Sequence, residues 1–575
     1  MLLKRWLTHL LPVMQWWPKY NGEAFRADLV AGIVVLFITV PQVIAYAFLA
    51  GLPAETGLYA AIMALLCYAA FGSCRTLAVG PTAILAMMSL ESVSAFQTPG
   101  TLEYTLLASK LAMVTGGVLV LLRIINFGAV VSFLSHAVVT GFITAAAILI
   151  ITNQIPSILG LSAPPDTAVV IVLQHVASGM DSLNLAAMSI AIGAMFLLWF
   201  CRHHLEALLQ STGIHPRWIG SLVKSAPMYA VILSVAIVWS MGLDQSSGVS
   251  VVGVIPNQLP TWAQMDPSLV EIQQLLPSAL LMSMVIFMES TSIGAAVASK
   301  RREKIEPNQE LVGLGLANLG SAMVGGFPVA GSFARTIVNF SSGAVTPVAS
   351  LVTCVLVVIT LVWFAPWFYY LPKAVLSAII VMSAIQLIDL HGIRKTFQFN
   401  RIDSVTFACT FLAVLGLGVE TGILAGIAIS FLLLIRSSSK PNIAVVGRVG
   451  NTETFRNVLR HDVGTSPQVL ALRIDESIYF VNTRYIEVFL FNKIADSPAI
   501  KHVILICSSA NFIDTSGLEM LELLQDSLAE VGVTLHLAEV KGPVMDKLKE
   551  TEFFANMQGN VYFSTDLALK DLAEV

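Results

Sequence analysis

Fourteen apolar runs, separated by short polar connections, occupy most of the chain between residues 28 and 436. Most of these runs match the roughly 20 residues that a helix needs to cross a bilayer. Because lipid offers no hydrogen-bond partner to the backbone, such runs must form α-helices or closed barrel strands, and their length favours helices. The predicted runs are 28–50, 53–71, 80–95, 106–124, 129–152, 184–201, 225–243, 275–299, 309–326, 328–342, 345–366, 372–389, 403–418 and 420–436. The sequence therefore predicts a polytopic α-helical membrane protein with fourteen transmembrane segments.

Composition agrees with a membrane setting and excludes several classes of function. The chain is 56% hydrophobic and 12% charged, whereas soluble domains average about 25% charged residues. A net charge of -4, with no basic block interleaved with aromatics, argues against a nucleic-acid partner. The six cysteines form no close pair, so we expect no disulfide framework, no metal site and no cofactor.

The charges in the connections predict the orientation of the spans. Lys and Arg occur in the connections that face the cytoplasm if the N-terminus is inside, whereas the long connections 153–183 and 244–274 contain neither. This positive-inside asymmetry predicts cytoplasmic location for both termini. Residues 1–27, which mix basic residues with Trp and Tyr, are predicted to form a cytoplasmic or interfacial segment.

The composition changes to that of a soluble domain near the end of the last run. We predict a transport domain over 28–436, a linker over 437–442 and a small α/β domain over 443–575. Strand-like runs occupy 444–447, 469–474, 503–507 and 534–537. Helical patterns lie between them at 483–494, 517–531 and 543–550. No catalytic constellation occurs here, so we do not expect an enzyme.

One stretch, 325–339, places Arg335 among apolar segments, directly after Gly and Pro residues. We predict a helix that restarts at Pro328, with Arg335 one to two turns into it. The N-terminus of such a helix offers unpaired N–H groups and a positive dipole end, and the guanidinium adds fork-shaped donors. This pattern predicts half of an anion-binding site.

An internal spacing suggests where the other half lies. Pro81 and Pro328 are 247 residues apart, as are Gln42 and Glu289, and seven predicted spans separate the members of each pair. An odd number of spans reverses direction, so the second seven spans would be an inverted copy of the first. The third and tenth spans would then be short half-helices that meet head to head near the midplane.

Several motifs resemble the SulP sulfate permease family of anion transporters, which includes prestin. The matching stretches are Pro41-Gln42-Val43-Ile44-Ala45-Tyr46-Ala47, Ala50-Gly51-Leu52-Pro53, Gly57-Leu58-Tyr59, Phe71-Gly72-Ser73-Cys74-Arg75, Val79-Gly80-Pro81, Asn308-Gln309-Glu310-Leu311, Pro328 to Arg335, and Asp514-Thr515-Ser516-Gly517. This resemblance implies a uracil-permease-like fold of seven plus seven inverted helices, with core and gate domains, followed by a cytoplasmic STAS domain. It also implies a bacterial transporter of anions such as sulfate, bicarbonate, chloride or dicarboxylates, working as a homodimer.

Carried over by position, the resemblance places the anion between the third and tenth helices. The implied substrate-binding residues are Gln42, Tyr46, Thr82, Phe333, Ala334 and Arg335. Many relatives have Ser where this chain has Ala334, so one side-chain hydroxyl is missing, and Tyr46 and Thr82 make the pocket more polar. These departures leave the identity of the anion open.

Glu289 is an acid within the eighth apolar run, where exposure to lipid costs about 2.5–3.5 kcal/mol or more. It must therefore face protein or water. The resemblance implies a role in coupling to H⁺ or Na⁺, and the alternative is a carboxylate that only neutralises Arg335. The two can coexist, because a carboxylate that takes up a proton would release Arg335 to the substrate.

Ser516 in the C-terminal domain also has two interpretations. Related bacterial domains carry a phosphorylated serine at this position, which makes Ser516 a candidate phosphorylation site. Alternatively, Ser516 and Glu519 form a capping box at a helix N-terminus, and we favour this interpretation.

Taken together, the sequence predicts a secondary active anion transporter that works by alternating access. Sulfate or bicarbonate is the expected substrate, coupled to H⁺ or Na⁺, with a dicarboxylate as the main rival. An uncoupled anion channel, or a sensor that signals through the STAS domain, is the alternative of a different class. The expected location is the bacterial plasma (inner) membrane, with a cytoplasmic protein as a candidate partner of the STAS domain.

Overall fold

The computed structural model describes residues 12–128, 135–162, 164, 167–212, 216–263 and 266–573. Residues 129–134, the start of the fifth predicted run, lie outside this description, as do the first eleven residues of the N-terminal segment. The described chain divides into two compact units, Met1–Ala428 and Ile429–Val575.

Fourteen helices correspond one by one to the fourteen predicted runs. They are α1 (Gly22–Leu49), α2 (Ala54–Phe71), α3 (Ala83–Ser94), α4 (Leu102–Ile124), α5 (His136–Ile158), α6 (Leu185–His203), α7 (Ala226–Met241), α8 (Leu269–Arg301), α9 (Pro307–Met323), α10 (Phe333–Ser341), α11 (Val348–Ile359), α12 (Lys373–Ala384), α13 (Arg401–Leu417) and α14 (Val419–Ser438). Within the described residues, nine helices are long and apolar enough to cross a membrane. The α3 and α10 helices are too short, as expected for half-helices.

Small residues permit close packing among the helices of the first unit. The α9 helix packs on α4 and α2, α11 packs on α1, and α13 packs on α5. A Cβ atom at Gly116 in α4 would lie only 2.8 Å from the carbonyl oxygen of Gly315 in α9. Between membrane helices, where lipid removes the hydrophobic drive for association, such close backbone approach supplies the packing energy.

The α3 and α10 helices are each preceded by a two-residue strand, β1 (Val79–Gly80) and β2 (Ala330–Gly331). These strands pair antiparallel, with Val79 opposite Gly331 and Gly80 opposite Ala330. This pairing satisfies backbone groups that would otherwise remain without partners inside the protein. It also brings the starts of the two short helices together, as the inverted-repeat interpretation predicts.

The second unit contains a six-stranded sheet in the order β4-β3-β5-β6-β7-β8. Its strands are β3 (Ile443–Arg448), β4 (Phe455–Asn457), β5 (Val469–Ile474), β6 (His502–Ile506), β7 (Thr534–Ala538) and β8 (Val561–Tyr562). Strands β5 to β8 run parallel, whereas β3 is antiparallel to both of its neighbours. The four predicted strands are confirmed, but the sequence analysis missed the short strands β4 and β8 at the two edges.

Helices cover both faces of this sheet because its central strands are apolar on both sides. Leu470 and Leu472 belong to one core cluster, and Val469 and Ala471 to another, as the period of two in a strand requires. The helices are α15 (Thr483–Ala495), α16 (Thr515–Glu530), α17 (Gly542–Leu548), α18 (Glu552–Ala555) and α19 (Thr565–Ala573). The α19 helix, which the sequence analysis missed, packs on β5 and β6.

Candidate anion-binding site

The two half-helices begin beside each other and leave their first-turn N–H groups without a side-chain cap. The N-cap residues are Thr82 for α3 and Ser332 for α10, and neither hydroxyl accepts a hydrogen bond from its own helix. Each N-terminus has about half a positive charge from the aligned peptide dipoles. Two such ends at one place repel each other, and an anion between them would stabilise both.

Polar side chains from neighbouring helices hold this arrangement. The hydroxyl of Ser290 in α8 accepts a hydrogen bond from the backbone N–H of Gly331 at 2.9 Å. The amide of Asn318 in α9 bonds both the N–H and the carbonyl of Val329, each at 2.9 Å. Sequence reasoning missed both residues, although a polar side chain inside an apolar run is the signal that could have identified them.

A cavity of about 50 Å³ lies in front of the two helix starts. Five of the predicted residues line it: Tyr46, Thr82, Glu289, Phe333 and Ala334. The remaining lining residues include Ser332, Ser383 and Gln386. The hydroxyl of Thr82 is buried, with no hydrogen-bond partner among the described residues. The structure therefore brings together one residue of α1, one of α8 and both half-helix starts.

Gln42 contacts the cavity only indirectly. Its side-chain amide donates to the hydroxyl of Ser383 at 3.3 Å, and Ser383 itself lines the cavity. The amide oxygen of Gln42 is buried without a partner among the described residues. Gln42 can therefore position the Ser383 hydroxyl, which the sequence analysis did not single out.

Arg335 lies behind the cavity wall, not on it. Its side chain is 1% exposed, and one terminal nitrogen donates to the carbonyl oxygen of Pro81 at 2.6 Å. This bond crosses from α10 to the chain just before α3. The partner is a neutral carbonyl, so the positive charge stays uncompensated by this contact. The guanidinium therefore adds to the positive potential at the helix starts.

Two details of the predicted half-helices are wrong. The tenth helix begins at Phe333, not at Pro328, because the residues between them form β2 and its approach. Arg335 is therefore the third residue of the first turn, not one to two turns into the helix. Pro81 follows its strand whereas Pro328 precedes its strand, so the two prolines are not equivalent positions. The spacing of 247 residues does not align the two repeats.

Glu289 lines the cavity and forms no ion pair with Arg335 in this conformation. Neither side chain takes part in any of the ion pairs within 4.0 Å among the described residues. One carboxylate oxygen of Glu289 is buried with no hydrogen-bond partner there. The purely neutralising contact considered from the sequence is therefore not formed here.

The capping box predicted at Ser516 is also wrong. The α16 helix begins at Thr515, and its N-cap is Asp514, whose carboxylate accepts from the N–H of Gly517 at 2.8 Å. Asp is as good an N-cap as Ser, and it adds a favourable charge at the helix start. Ser516 is the second residue of the helix, where its hydroxyl does not cap.

No cluster of three or more His, Cys, Asp or Glu side chains suited to a metal occurs in the described part of the chain. All six cysteines are free thiols. The cavity offers hydroxyl, amide and carboxylate groups together with two helix starts, which is a set of groups suited to a small anion and to a proton or alkali cation.

Comparison with known proteins agrees with this architecture. The sulfate permease family model matches residues 25–410, and the STAS domain model matches residues 461–568. Sulfate transporter 4.1, chloroplastic, from Arabidopsis thaliana is 30% identical, over 98% of this chain and 83% of its own length. Sulfate transporter 1.3 of the same plant is 32% identical, over 95% of this chain and 84% of its own length.

The fold also matches a solved structure. The murine Solute Carrier 26 family member A9 anion transporter, in the inward-facing state, superposes with a TM-score of 0.88 and is 25% identical. That match covers 99% of this chain and 95% of the murine chain. The chain therefore belongs to the sulfate permease family, as a multi-pass membrane anion transporter with a C-terminal STAS domain.

Proposed function

We propose that the chain is a secondary active transporter of a small inorganic oxyanion, sulfate or bicarbonate, and that it works by alternating access. The observation that carries this proposal is the meeting of two uncapped helix starts, at Thr82 and Ser332, on one small cavity. The names of the plant relatives favour sulfate. Transport needs no covalent chemistry here, so we propose no enzymatic activity.

The size and lining of the cavity favour a small inorganic ion over the rival dicarboxylate. A cavity of about 50 Å³ admits one compact ion with little accompanying water. A dicarboxylate needs a second group of donors several ångströms from the first. The methyl group of Ala334 and the ring of Phe333 occupy the wall on the α10 side. Gln42, Tyr46, Thr82, Phe333, Ala334 and Arg335 remain our proposed substrate-binding residues.

We propose that Glu289 couples substrate movement to H⁺ or Na⁺. Its carboxylate lines the same cavity as substrate residues such as Tyr46 and Thr82, and it forms no ion pair within 4.0 Å among the described residues. An ionised Glu289 opposes anion entry by repulsion, whereas a bound proton or sodium ion removes that repulsion. Anion and cation would therefore bind together and be released together.

We propose the orientation, domain division and location that the sequence predicts. We propose cytoplasmic termini on the charge asymmetry of the connections, with domains at 1–27, 28–436, 437–442 and 443–575. We further propose the bacterial inner membrane as the location, a homodimer as the assembly, and a cytoplasmic protein as a partner of the STAS domain. Ser516 remains a proposed phosphorylation site, since it does not cap its helix.

Uptake by proteoliposomes tests the transport proposal. Labelled sulfate, bicarbonate and succinate would be offered with and without a sodium gradient or a pH step. We expect saturable uptake of sulfate or bicarbonate that requires one of the two cation gradients. Uptake of succinate alone would favour the dicarboxylate, and a large conductance with no gradient requirement would favour the channel.

The Arg335→Ala variant tests the site within the same assay. We expect anion uptake to fall at least about tenfold, because the charge beside both helix starts is lost. The exposed Arg394, in the connection after α12, provides the matched control, and Arg394→Ala should transport normally. Gel filtration of both variants would check folding. Unchanged anion affinity in Arg335→Ala would place the site elsewhere.

A further inference from the structure

A second and larger cavity, of about 330 Å³, lies beside the end of the α1 helix. It is bounded by the last turns of α1 and α5 and by the first turns of α12. Its polar lining residues are Asn153, Gln154, Ser157, Ser162, Ser250, Lys373 and Ser377. In the proposed orientation these helix ends face the outside, so the cavity would open to the external solution.

Lys373 supplies a positive charge to this cavity. Its ammonium nitrogen lies 5.1 Å from the centroid of the Phe48 ring, and the side chain is exposed. No carboxylate among the described residues forms an ion pair with it. Lys110 in α4 differs, because its ammonium contacts the carboxylate of Glu271 at 2.6 Å. Lys373 therefore leaves a charge available to a ligand.

Two buried polar side chains line the same cavity. Gln154 is 7% exposed and Ser377 is 3% exposed. Neither side chain has a hydrogen-bond partner among the described residues, although each belongs to the cavity wall. The polar atoms of both side chains reach the cavity, because neither is among the fully buried polar atoms that lack a partner in the described residues. Both side chains can therefore donate a hydrogen bond to an anion in the cavity.

We propose that this cavity is a second anion site, which binds a small oxyanion before it reaches the half-helix site. Lys373 would attract the ion, and the Gln154 amide and Ser377 hydroxyl would hydrogen-bond to it. The α12 helix connects the two sites, because Ser377 lines the outer cavity and Ser383 lines the inner one. Six residues of helix separate them by about 9 Å. The inference rests on the proposed transport function and on the proposed orientation in the membrane.

Charged thiol reagents test the site without any need for transport. Ser377→Cys would be introduced where Cys67, Cys74, Cys201, Cys354, Cys409 and Cys507 are replaced. Its reaction rates with an anionic and a cationic methanethiosulfonate would then be compared. We expect the anionic reagent to react faster, and Lys373→Gln to lower that preference about tenfold. Lys373→Arg should restore it. A cysteine that reacts with neither reagent, or a preference independent of Lys373, would overturn the proposal.

Labelled sulfate uptake from the outside tests its role in transport. Lys373→Gln and Gln154→Leu should each raise the external KM roughly threefold to tenfold at low salt, with little change in maximal rate. The deficit of Lys373→Gln should shrink in about 0.5 M potassium gluconate, since salt screens charge attraction. Lys395→Gln, which removes an exposed charge from the helix Leu390–Phe399, is the matched control.

The two assays separate failure of this inference from failure of the proposed function. If the unmodified protein takes up no sulfate but the thiol reagents show a Lys373-dependent preference, the outer site stands and sulfate is the wrong substrate. If sulfate is transported and Lys373→Gln leaves the external KM unchanged, the outer cavity binds no anion on the pathway and the inference is wrong.

Discussion

Arg335 and Glu289 have opposite charges and complementary roles in the proposed transport. Arg335 is buried beside the helix starts and donates to the Pro81 carbonyl, whereas Glu289 lines the cavity and has no partner for one oxygen. A fixed positive charge attracts the anion in every state of the protein. A carboxylate that binds and releases a cation changes that attraction, which is what coupling requires.

Replacing Glu289 by Gln should impair coupling more than binding. The Gln side chain is neutral, as protonated Glu is, so the anion still enters. Exchange of labelled for unlabelled sulfate across the membrane, which needs no net cation movement, should persist. Gradient-driven accumulation should fall at least about tenfold, because the side chain can no longer alternate between charge states.

The exposed Glu103 in the first turn of α4 serves as the matched control, and Glu103→Gln should leave both exchange and accumulation intact. Equal loss of exchange and accumulation in Glu289→Gln would instead indicate that Glu289 supports the local structure.

The starts of the half-helices mark the boundary of what the sequence could predict. Their existence and their meeting followed from two short apolar runs with Gly and Pro, in positions seven spans apart. The first residues of the two helices could not be predicted from the sequence. They depend on the pairing of β1 with β2, which forms only when these distant segments meet. A strand this short carries no periodic signal, so the sequence predicts a helix start at Pro328, whereas the helix begins at Phe333.

Gly80 in β1 is predicted to be essential because Arg335 packs against it. A Cβ atom there would lie 3.0 Å from one terminal nitrogen of the guanidinium. Gly80→Ala should displace the charge and lower sulfate affinity about tenfold, with a stability loss of roughly 1–3 kcal/mol. Equilibrium sulfate binding and thermal melting in detergent would measure the two effects.

Gly117 in α4 provides the comparison, since a Cβ atom there meets nothing within 4 Å. Gly117→Ala should leave sulfate affinity unchanged and stabilise the helix by up to about 1 kcal/mol. Normal affinity in Gly80→Ala would mean that the position of the guanidinium does not matter.

In the STAS domain, a pair of histidines should make stability depend on pH. His536 is 3% exposed, and its Nδ1 accepts from the backbone N–H of Asn560 at 3.0 Å. Its Nε2 therefore carries the proton and contacts Nδ1 of His502 at 3.2 Å. Burial, and then the neighbouring His502, lower the pKa of His536 from 6.5 to about 4.

Because the folded pKa of His536 lies below its unfolded value, its contribution is present above pH 6.5 and is lost as the pH falls towards 4. From His536 alone, the free energy of unfolding should fall by about 3 kcal/mol over this pH range. Urea unfolding of a fragment covering 441–575, which has its own core, would measure it.

His536→Gln keeps an acceptor for Asn560 but does not titrate, so its stability should vary less over this pH range. The exposed His461 is the control, and His461→Gln should follow the unmodified fragment. An unchanged pH dependence in His536→Gln would assign the effect to other groups.

Sequence reasoning had two other limits, which are the choice between neighbouring helix caps and hydrogen bonds between distant segments. Asp514 caps α16 although Ser516 fits the local motif better, because both types cap well and only the start of the helix decides between them. Ser383 reaches the cavity from α12, and no local pattern relates it to Gln42, which precedes it by 341 residues. Hydropathy and charge, by contrast, gave the fourteen spans because the bilayer acts on every residue of a run.

The half-helices from the two halves of the chain meet at one cavity, and this arrangement predicts how the site is accessible during the transport cycle. Thr82 and Ala334, from opposite halves of the chain, line one cavity. In alternating access that cavity opens to each side in turn while the helix starts stay together. Single cysteines at both positions, with the six native cysteines replaced, should therefore react with small water-soluble thiol reagents from either side of the membrane, and sulfate should protect them.

Val357 in α11 is fully buried and lines neither cavity, so Val357→Cys should react at least about a hundredfold more slowly under the same conditions. Proteoliposomes with reagent on one side only, then on the other, would separate the two directions of access. Reaction from one side alone, in every condition with and without a cation gradient, would indicate a fixed vestibule. If Thr82→Cys and Ala334→Cys are as unreactive as Val357→Cys throughout, neither residue lies on the pathway, and the half-helix site is wrong.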